Sequence, residues 1–398
     1  MSTGHSGFDV ARLSSRLDNL LRRFVDTDEA AGVAVKVVRH GETAYRGWNG
    51  FANIEERRPI QGDTLYRIFS MTKTFTSVTL MTLYEQGLIR LDDPVYEFIP
   101  EFKDIKVAET DYQNNVSLAP AKRPVTLRHL ATMTSGMPYP NDSSPAGKAM
   151  AALQKTMADS ASTMDYAKAA ASAPLAFHPG ERWMYGFSHD ILGAVIETVS
   201  GKRFGEYMKE AVLDPLGLND TAFYCPKEKR GRLAEGYWHE KGKKPVNAVP
   251  SRVPPAPDSP PALESGGGGL ISSLDDVSRF AQMLVKGGKL DGAPRVLSRK
   301  TIQLIASNQL NAVQQGDFSW DSVRGYGYGL CVRTMLNPAE TGLNGSVGEF
   351  AWDGMMGTWY CVDPQEDMTA VFMIQRLPAA NQDHPRRVMQ AVYGSLDD

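Results

Sequence analysis

The sequence predicts an α+β protein, with strands near both ends of the chain and helices between them. Three observations lead there. Residues 32–51 begin with a valine-rich alternation, pass through His40-Gly41-Glu42 and continue as a second alternating run, the pattern of a hairpin. The runs YGYGLCVRT, WYCVDP and MTAVFMIQR, from about residue 326 onward, are short and rich in β-formers. From about 88 to 262 the chain instead alternates helical patches with proline-rich connections. The order implies a sheet domain built from 1–62 and 268–398, interrupted by a mostly helical domain over 63–267.

The elements follow in turn. Residues 69–86 (FSMTKTFTSVTLMTLYEQ) form a helix that stops at Gly87, and its apolar residues cover most of the circumference, so it is buried nearly all round. Ser188 reads as the N-cap of a helix through Ser200, with Asp190 in the first turn and Gly201 closing it. Residues 245–263 carry too many prolines for a helix and form an extended connector. SGGGG at 265–269 is a tight turn, followed by an amphipathic helix with an Asp275-Asp276 start and a Gly287-Gly288 stop.

Composition bounds the function. The 398 residues are 42% hydrophobic and 22% charged, ordinary for a globular protein, and the formal net charge is −3. Nothing there offers a nucleic-acid backbone or an anionic membrane a broad basic field, and the KEKRGR run at 227–232 reads as a short solvated loop. No stretch of about 18 apolar residues and no secretory leader is visible, so the expected location is the cytoplasm. Cys225, Cys331 and Cys361 are scattered and odd in number, which fits buried free thiols. His129, His178 and His189 lack metal-ligand spacing, and His129 reads as a hydrogen-bonded structural residue of a helical LRHLA segment. No G-x-S-x-G elbow occurs, and the glycine run lacks the Lys-Ser/Thr of a phosphate loop.

The sharpest chemical feature is Ser70-Met71-Thr72-Lys73. Residues i and i+3 share one face of a helix start, roughly 5–6 Å apart between Cβ atoms. The first turn supplies unpaired N–H groups and the positive end of the helix dipole. A serine there needs a base to become a nucleophile, and a lysine desolvated by an apolar helix is one that can lose its proton. An isolated S-x-x-K is weak, since an N-cap serine before a surface lysine looks the same.

Its surroundings are more specific. YRIFSMTKTFTSVTLMTLYEQGLIRLDDPVYEFIPEF resembles the nucleophile helix and following loop of serine β-lactamases and penicillin-binding proteins, most of all the class C-like (family VIII) carboxylesterases. VTLRHLATMTSGMP, FHPGERWMYGFSHDILGAVIE, DPLGLNDTAF and GGGGLISSLDDVSRFAQMLVKGG match in the same order, so the resemblance runs over nearly the whole chain. It implies a β-lactamase-like fold: a mainly antiparallel sheet flanked by helices plus a helical domain, with the active site in the cleft between them.

The resemblance also assigns roles. Ser70 is the nucleophile, and Lys73 with Tyr185 of WMYGFSHD takes and returns its proton. The backbone N–H groups of Ser70 and Met355 form the oxyanion hole, and Gly354 admits the substrate close to the backbone. Two departures bear on substrate. The lactamase Tyr-x-Asn has Phe187 in its asparagine place, and the Lys-Thr-Gly motif is replaced by Trp352-Asp353-Gly354, like the Trp-x-Gly of the esterases. Phe187 and Trp352 supply neither an amide partner nor a cation for a carboxylate, although Arg324 or Arg333 remain candidate cations. The expectation is therefore an esterase acting on a small-molecule ester, without cofactor or metal. A β-lactamase, a D-amino-acid peptidase or an acyltransferase on the same scaffold are the rivals. A non-catalytic binding protein is disfavoured, because Ser70, Lys73 and Tyr185 are all retained.

Overall fold

Period-two alternation decides how the first strand sits. Val33, Val35 and Val37 point to one side of β1 (Gly32–Arg39), while Ala34 points to the other. Strand β1 turns at His40-Gly41, both with positive φ (54° and 82°), and returns as β2 (Glu42–Asn53), the expected hairpin. The structure is a computed structural model that describes residues 6–249, 251–379 and 383–398. A short β3 (Arg58–Pro59) follows, and β4 to β8 come from the other end of the chain: Tyr326–Tyr328, Arg333–Met335, Phe350–Asp353, Trp359–Asp363 and Met368–Ile374. These eight strands make one antiparallel sheet in the order β4-β5-β6-β7-β8-β1-β2-β3. Val33 lies opposite Ile374, so the two ends of the chain meet at the centre of the sheet.

Each face of the sheet is covered by helix. Helix α1 (Val10–Asp26) buries Leu13, Leu17, Leu21 and Phe24, spaced three or four apart, against Val33, Val35 and Val37. A C-terminal helix (Asp383–Tyr393) adds Val388 and Val392 to the same cluster. On the opposite face two further helices join the main core. Helix α2 (Thr72–Glu85) is buried from Thr72 through Leu83, and Phe75 stacks flat on Phe280 of the helix Leu274–Val285. Helix α2 ends as expected, with Gly87 at a φ of 72°.

One expectation is corrected. Ser188 does not cap its helix: α3 (Ser188–Ser200) has Phe187 in the cap position without a side-chain bond, and the Ser188 hydroxyl pairs with Ser135 at 2.9 Å instead. The β-rich run YGYGLCVRT supplies two strands, because the chain turns between β4 and β5 and Cys331 takes a φ of 70°. The solvated segment 227–232 forms a 3₁₀ turn with no buried residue, and Lys229 and Arg232 both pair with Asp220. His129, within Leu127–Ala131, accepts the Thr126 N–H as part of a capping box, a structural role. All three cysteines are buried and free. Among the described residues, no helix is long and apolar enough to cross a membrane.

Candidate active site

Ser70 owes its position to the segments on either side of it. Leu65–Arg67 pairs antiparallel with Ile271–Ser273, and the Ile68 N–H donates to the Leu270 carbonyl at 3.1 Å. Phe69, the next residue, is held at a φ of 44°, a region costly for a side chain with a Cβ. Such strain persists only where neighbours fix the backbone, and here the Leu270 N–H also bonds the Thr72 hydroxyl. Ser70 then lies half-buried in a 3₁₀ turn (Phe69–Met71) that runs into α2.

One turn along, the Lys73 amine reaches back to the Ser70 Oγ at 3.0 Å and donates to the Gly267 carbonyl at 2.5 Å. Lys73 is fully buried, and burial pushes its ammonium down to about 8. The nearest opposing influences are the thiol of Cys331 and the carboxylates of Asp190 and Asp353, none of them in hydrogen-bond contact with the amine. A lysine tuned in this way is neutral often enough near neutral pH to accept a proton.

Tyr185 completes the cluster. Its hydroxyl accepts the Trp352 indole N–H at 3.2 Å, with Ser70 close enough to favour its ionised form, while the Lys73 amine sits 4.7 Å from the centre of its ring. Burial holds its phenol well above the ordinary range, so Tyr185 rests protonated. That differs from a phenol made acidic by a nearby cation, because Lys73 lies over the ring, whereas burial acts directly on the hydroxyl.

Trp352 and Gly354 lie where β6 meets the Ser70 turn. Trp352 is 2% exposed and packs its ring on Tyr185 and Tyr328. A Cβ on Gly354 would stand 2.4 Å from the Ile68 carbonyl, so only glycine lets the 354–357 turn dock against the chain entering Ser70. This puts the Met355 backbone beside that chain, with its side chain half-exposed. Phe187 joins an aromatic wall with Tyr139 and Tyr166 at ring distances of 4.7 and 5.3 Å.

Arg324 and Arg333 have separate fates. Arg324 is exposed, with Asp321 as a distant partner at 3.9 Å. Arg333 is on β5, almost fully buried, and its guanidinium donates to Asp353 at 2.9 Å. Among the described residues, no three His, Cys, Asp or Glu side chains group as a metal site. His189 is buried and bonds Ser77 at 3.2 Å, and burial keeps it neutral.

Sequence reasoning missed Asp190 and the Gly267 carbonyl. Asp190 is buried and accepts the Ser265 hydroxyl at 2.6 Å and the Gly267 N–H at 3.2 Å, fixing the turn whose carbonyl holds Lys73. Burial raises its carboxyl. The one available signal was an acidic residue three positions before the end of YGFSHDILG, which looked like a first-turn helix partner.

The family profile described as Beta-lactamase matches residues 17–393. Protein Rv1367c of Mycobacterium tuberculosis is 30% identical over 371 residues, spanning 91% of this chain and 90% of the relative. Esterase EstB of Burkholderia gladioli is 29% identical, spanning 89% and 88%. Among solved structures, EstCE1, "a hydrolase with promiscuous acyltransferase activity", superposes with a TM-score of 0.79 at 23% identity, covering 97% of this chain and 99% of its own.

Proposed function

The chain belongs to the beta-lactamase family, and from that premise we propose that it is a serine carboxylesterase that cleaves neutral, small-molecule esters through an acyl-enzyme on Ser70. The observation that carries the reading is the Ser70–Lys73–Tyr185 cluster, with a 3.0 Å contact to a lysine that burial brings down to about 8. The likeness to Esterase EstB supports the choice of ester over lactam.

The mechanism has two steps. The neutral Lys73 amine takes the Ser70 proton as Oγ attacks the ester carbonyl. Charge develops on the carbonyl oxygen, which the backbone N–H groups of Ser70 and Met355 receive; one such donor is worth about 10²–10³ in rate. Tyr185, protonated at rest, bridges Ser70 and the departing alkoxide and hands its proton to the alcohol, then recovers one from Lys73. Water enters the vacated place, loses a proton to the same pair and releases the acid. No cofactor or metal takes part. Trp352 holds Tyr185 through its indole N–H and, with Phe187 and Tyr139, gives the substrate an apolar wall. The free, buried thiols support action in the reducing cytoplasm.

Selectivity follows from the same residues. A β-lactam carboxylate placed beside Trp352 finds Arg333 already paired with Asp353. Each 1.36 kcal/mol is about tenfold in rate, so a gap of roughly 10²–10⁴ in kcat/KM between esters and lactams is expected. Comparing p-nitrophenyl acetate, p-nitrophenyl butyrate and nitrocefin measures it directly. Equal or faster turnover of nitrocefin would make the chain a β-lactamase with an altered third motif.

A further inference from the structure

Asp353 occupies the middle of Trp352-Asp353-Gly354, between the ring that packs on Tyr185 and the glycine that docks on the Ser70 turn. Its side chain, partly exposed, receives the Arg333 guanidinium at 2.9 Å, while Arg333 itself is almost entirely buried. The two residues line a cavity of about 180 Å³ together with Trp320, Trp352, Gly354 and Met355. The cavity therefore opens on the residues that flank the proposed oxyanion hole. Arg333 retains unused donor capacity: among the described residues its Nε finds no hydrogen-bond partner.

Two other ionisable side chains, Arg376 and His384, line the cavity. Arg376 donates to the backbone carbonyls of Glu29 and Pro378. His384 is kept neutral by burial. Glu349, the second carboxylate near Arg333, faces away into a cluster with Tyr393 and Asp363, outside this cavity. Beside Arg376, whose bonds to carbonyls leave its charge in place, Asp353 decides whether an incoming group meets Arg333 as a neutral ion pair or as a second cation.

We propose that Asp353 is a specificity-determining residue: it masks Arg333, so the site rejects substrates that carry a carboxylate in this cavity, and its loss opens an anion-binding subsite there. The inference rests on the esterase reading above and names the charge class that the site selects. It predicts a chemistry of exchange. A substrate carboxylate can take the place of the Asp353 carboxylate on the planar guanidinium, which favours such pairing by geometry. With Asp353 present, the same carboxylate meets a like charge.

The test compares p-nitrophenyl butyrate with mono-p-nitrophenyl glutarate, a related acyl chain ending in a carboxylate. The readout is the ratio of their kcat/KM values, glutarate over butyrate. In Asp353→Asn the ratio should rise about tenfold or more, the scale of one hydrogen bond to a charged group. In Arg333→Gln it should fall below wild type, since Asp353 then loses the guanidinium and presents more of its negative charge to the cavity. The double variant should return near the wild-type ratio. An unchanged ratio in folded Asp353→Asn overturns the proposal, as does a gain that survives in the double variant. Leaving a buried cation unpaired is costly for folding. If Asp353→Asn gives no folded protein, Arg333→Gln decides: a lower ratio supports the mask and an unchanged one overturns it. Wild-type enzyme that turns over neither ester removes the esterase reading and this inference together. Wild-type enzyme active on the butyrate ester, with ratios that never move, removes only this inference.

Discussion

Lys73, on the helix that follows Ser70, and Arg333, on the strand beside that of Trp352, are both buried cations, and their surroundings give them opposite behaviour. Arg333 touches a carboxylate at 2.9 Å and stays a fixed charge. Among the described residues, Lys73 bonds a hydroxyl and a backbone carbonyl and lies over the Tyr185 ring, and Asp190 and Asp353 act on it through space. Burial then dominates and brings the lysine down to about 8. A carboxylate in contact makes a buried cation permanent, whereas one held back by a single turn of chain leaves it able to titrate. The residue type matters too, since a guanidinium does not deprotonate in a protein and an ammonium does so readily when buried.

The strongest way to break this contrast is to make the first cation like the second. Lys73→Arg keeps a positive charge beside Ser70 but removes the base, and should lower kcat/KM for p-nitrophenyl butyrate by about 10³-fold or more. Retention of a tenth of wild-type activity would remove Lys73 from the proton path. Tyr185→Phe comes next, with an expected loss of about 10²-fold, because the alcohol then leaves without its proton donor. Combined with Lys73→Ala it should cost little beyond the larger single loss, as expected for residues that act as a unit. Full additivity would place the two in separate steps.

A smaller effect sharpens the contrast at a distance. Asp190→Asn preserves an acceptor for Ser265 and Gly267 but removes the charge that favours the protonated form of Lys73. The rate should fall by no more than about tenfold, and the acid limb of the pH profile should move to lower pH. A slower enzyme with an unmoved limb would reduce Asp190 to a structural part. In the wild type, kcat/KM should rise with pH as Lys73 loses its proton and level off above about 8. A profile that is flat from pH 6 to 9 contradicts a lysine base.

What the sequence disclosed divides along the same lines. Ser70 and Lys73 were legible because their relation is local: three residues apart at a helix start is a fixed geometry. The hairpin at 32–53, the stop at Gly87 and the buried circumference of α2 were legible for the same reason. The carbonyl that holds Lys73 was not, because Gly267 arrives through pairing between segments almost two hundred positions apart. Nor could composition show that Asp353 had already claimed Arg333, a contact created by the register of β5 and β6. Ser188 misled because an N-cap residue and a first-turn residue differ by one position, and the hydroxyl found Ser135 across the core. That Tyr185 rests protonated was not legible either, since the depth of burial that holds its phenol up is a property of the folded site.

The central claim is that the acyl group of the substrate passes through Ser70. Rapid acid quench during turnover of p-nitrophenyl butyrate, followed by intact mass and peptide mapping, tests it most directly. The account predicts one butyryl group per chain, carried on the peptide that contains Ser70 and absent from Ser70→Ala, which should retain its fold and lose its activity. A butyryl group on any other residue, or wild-type-like turnover by Ser70→Ala, would contradict it.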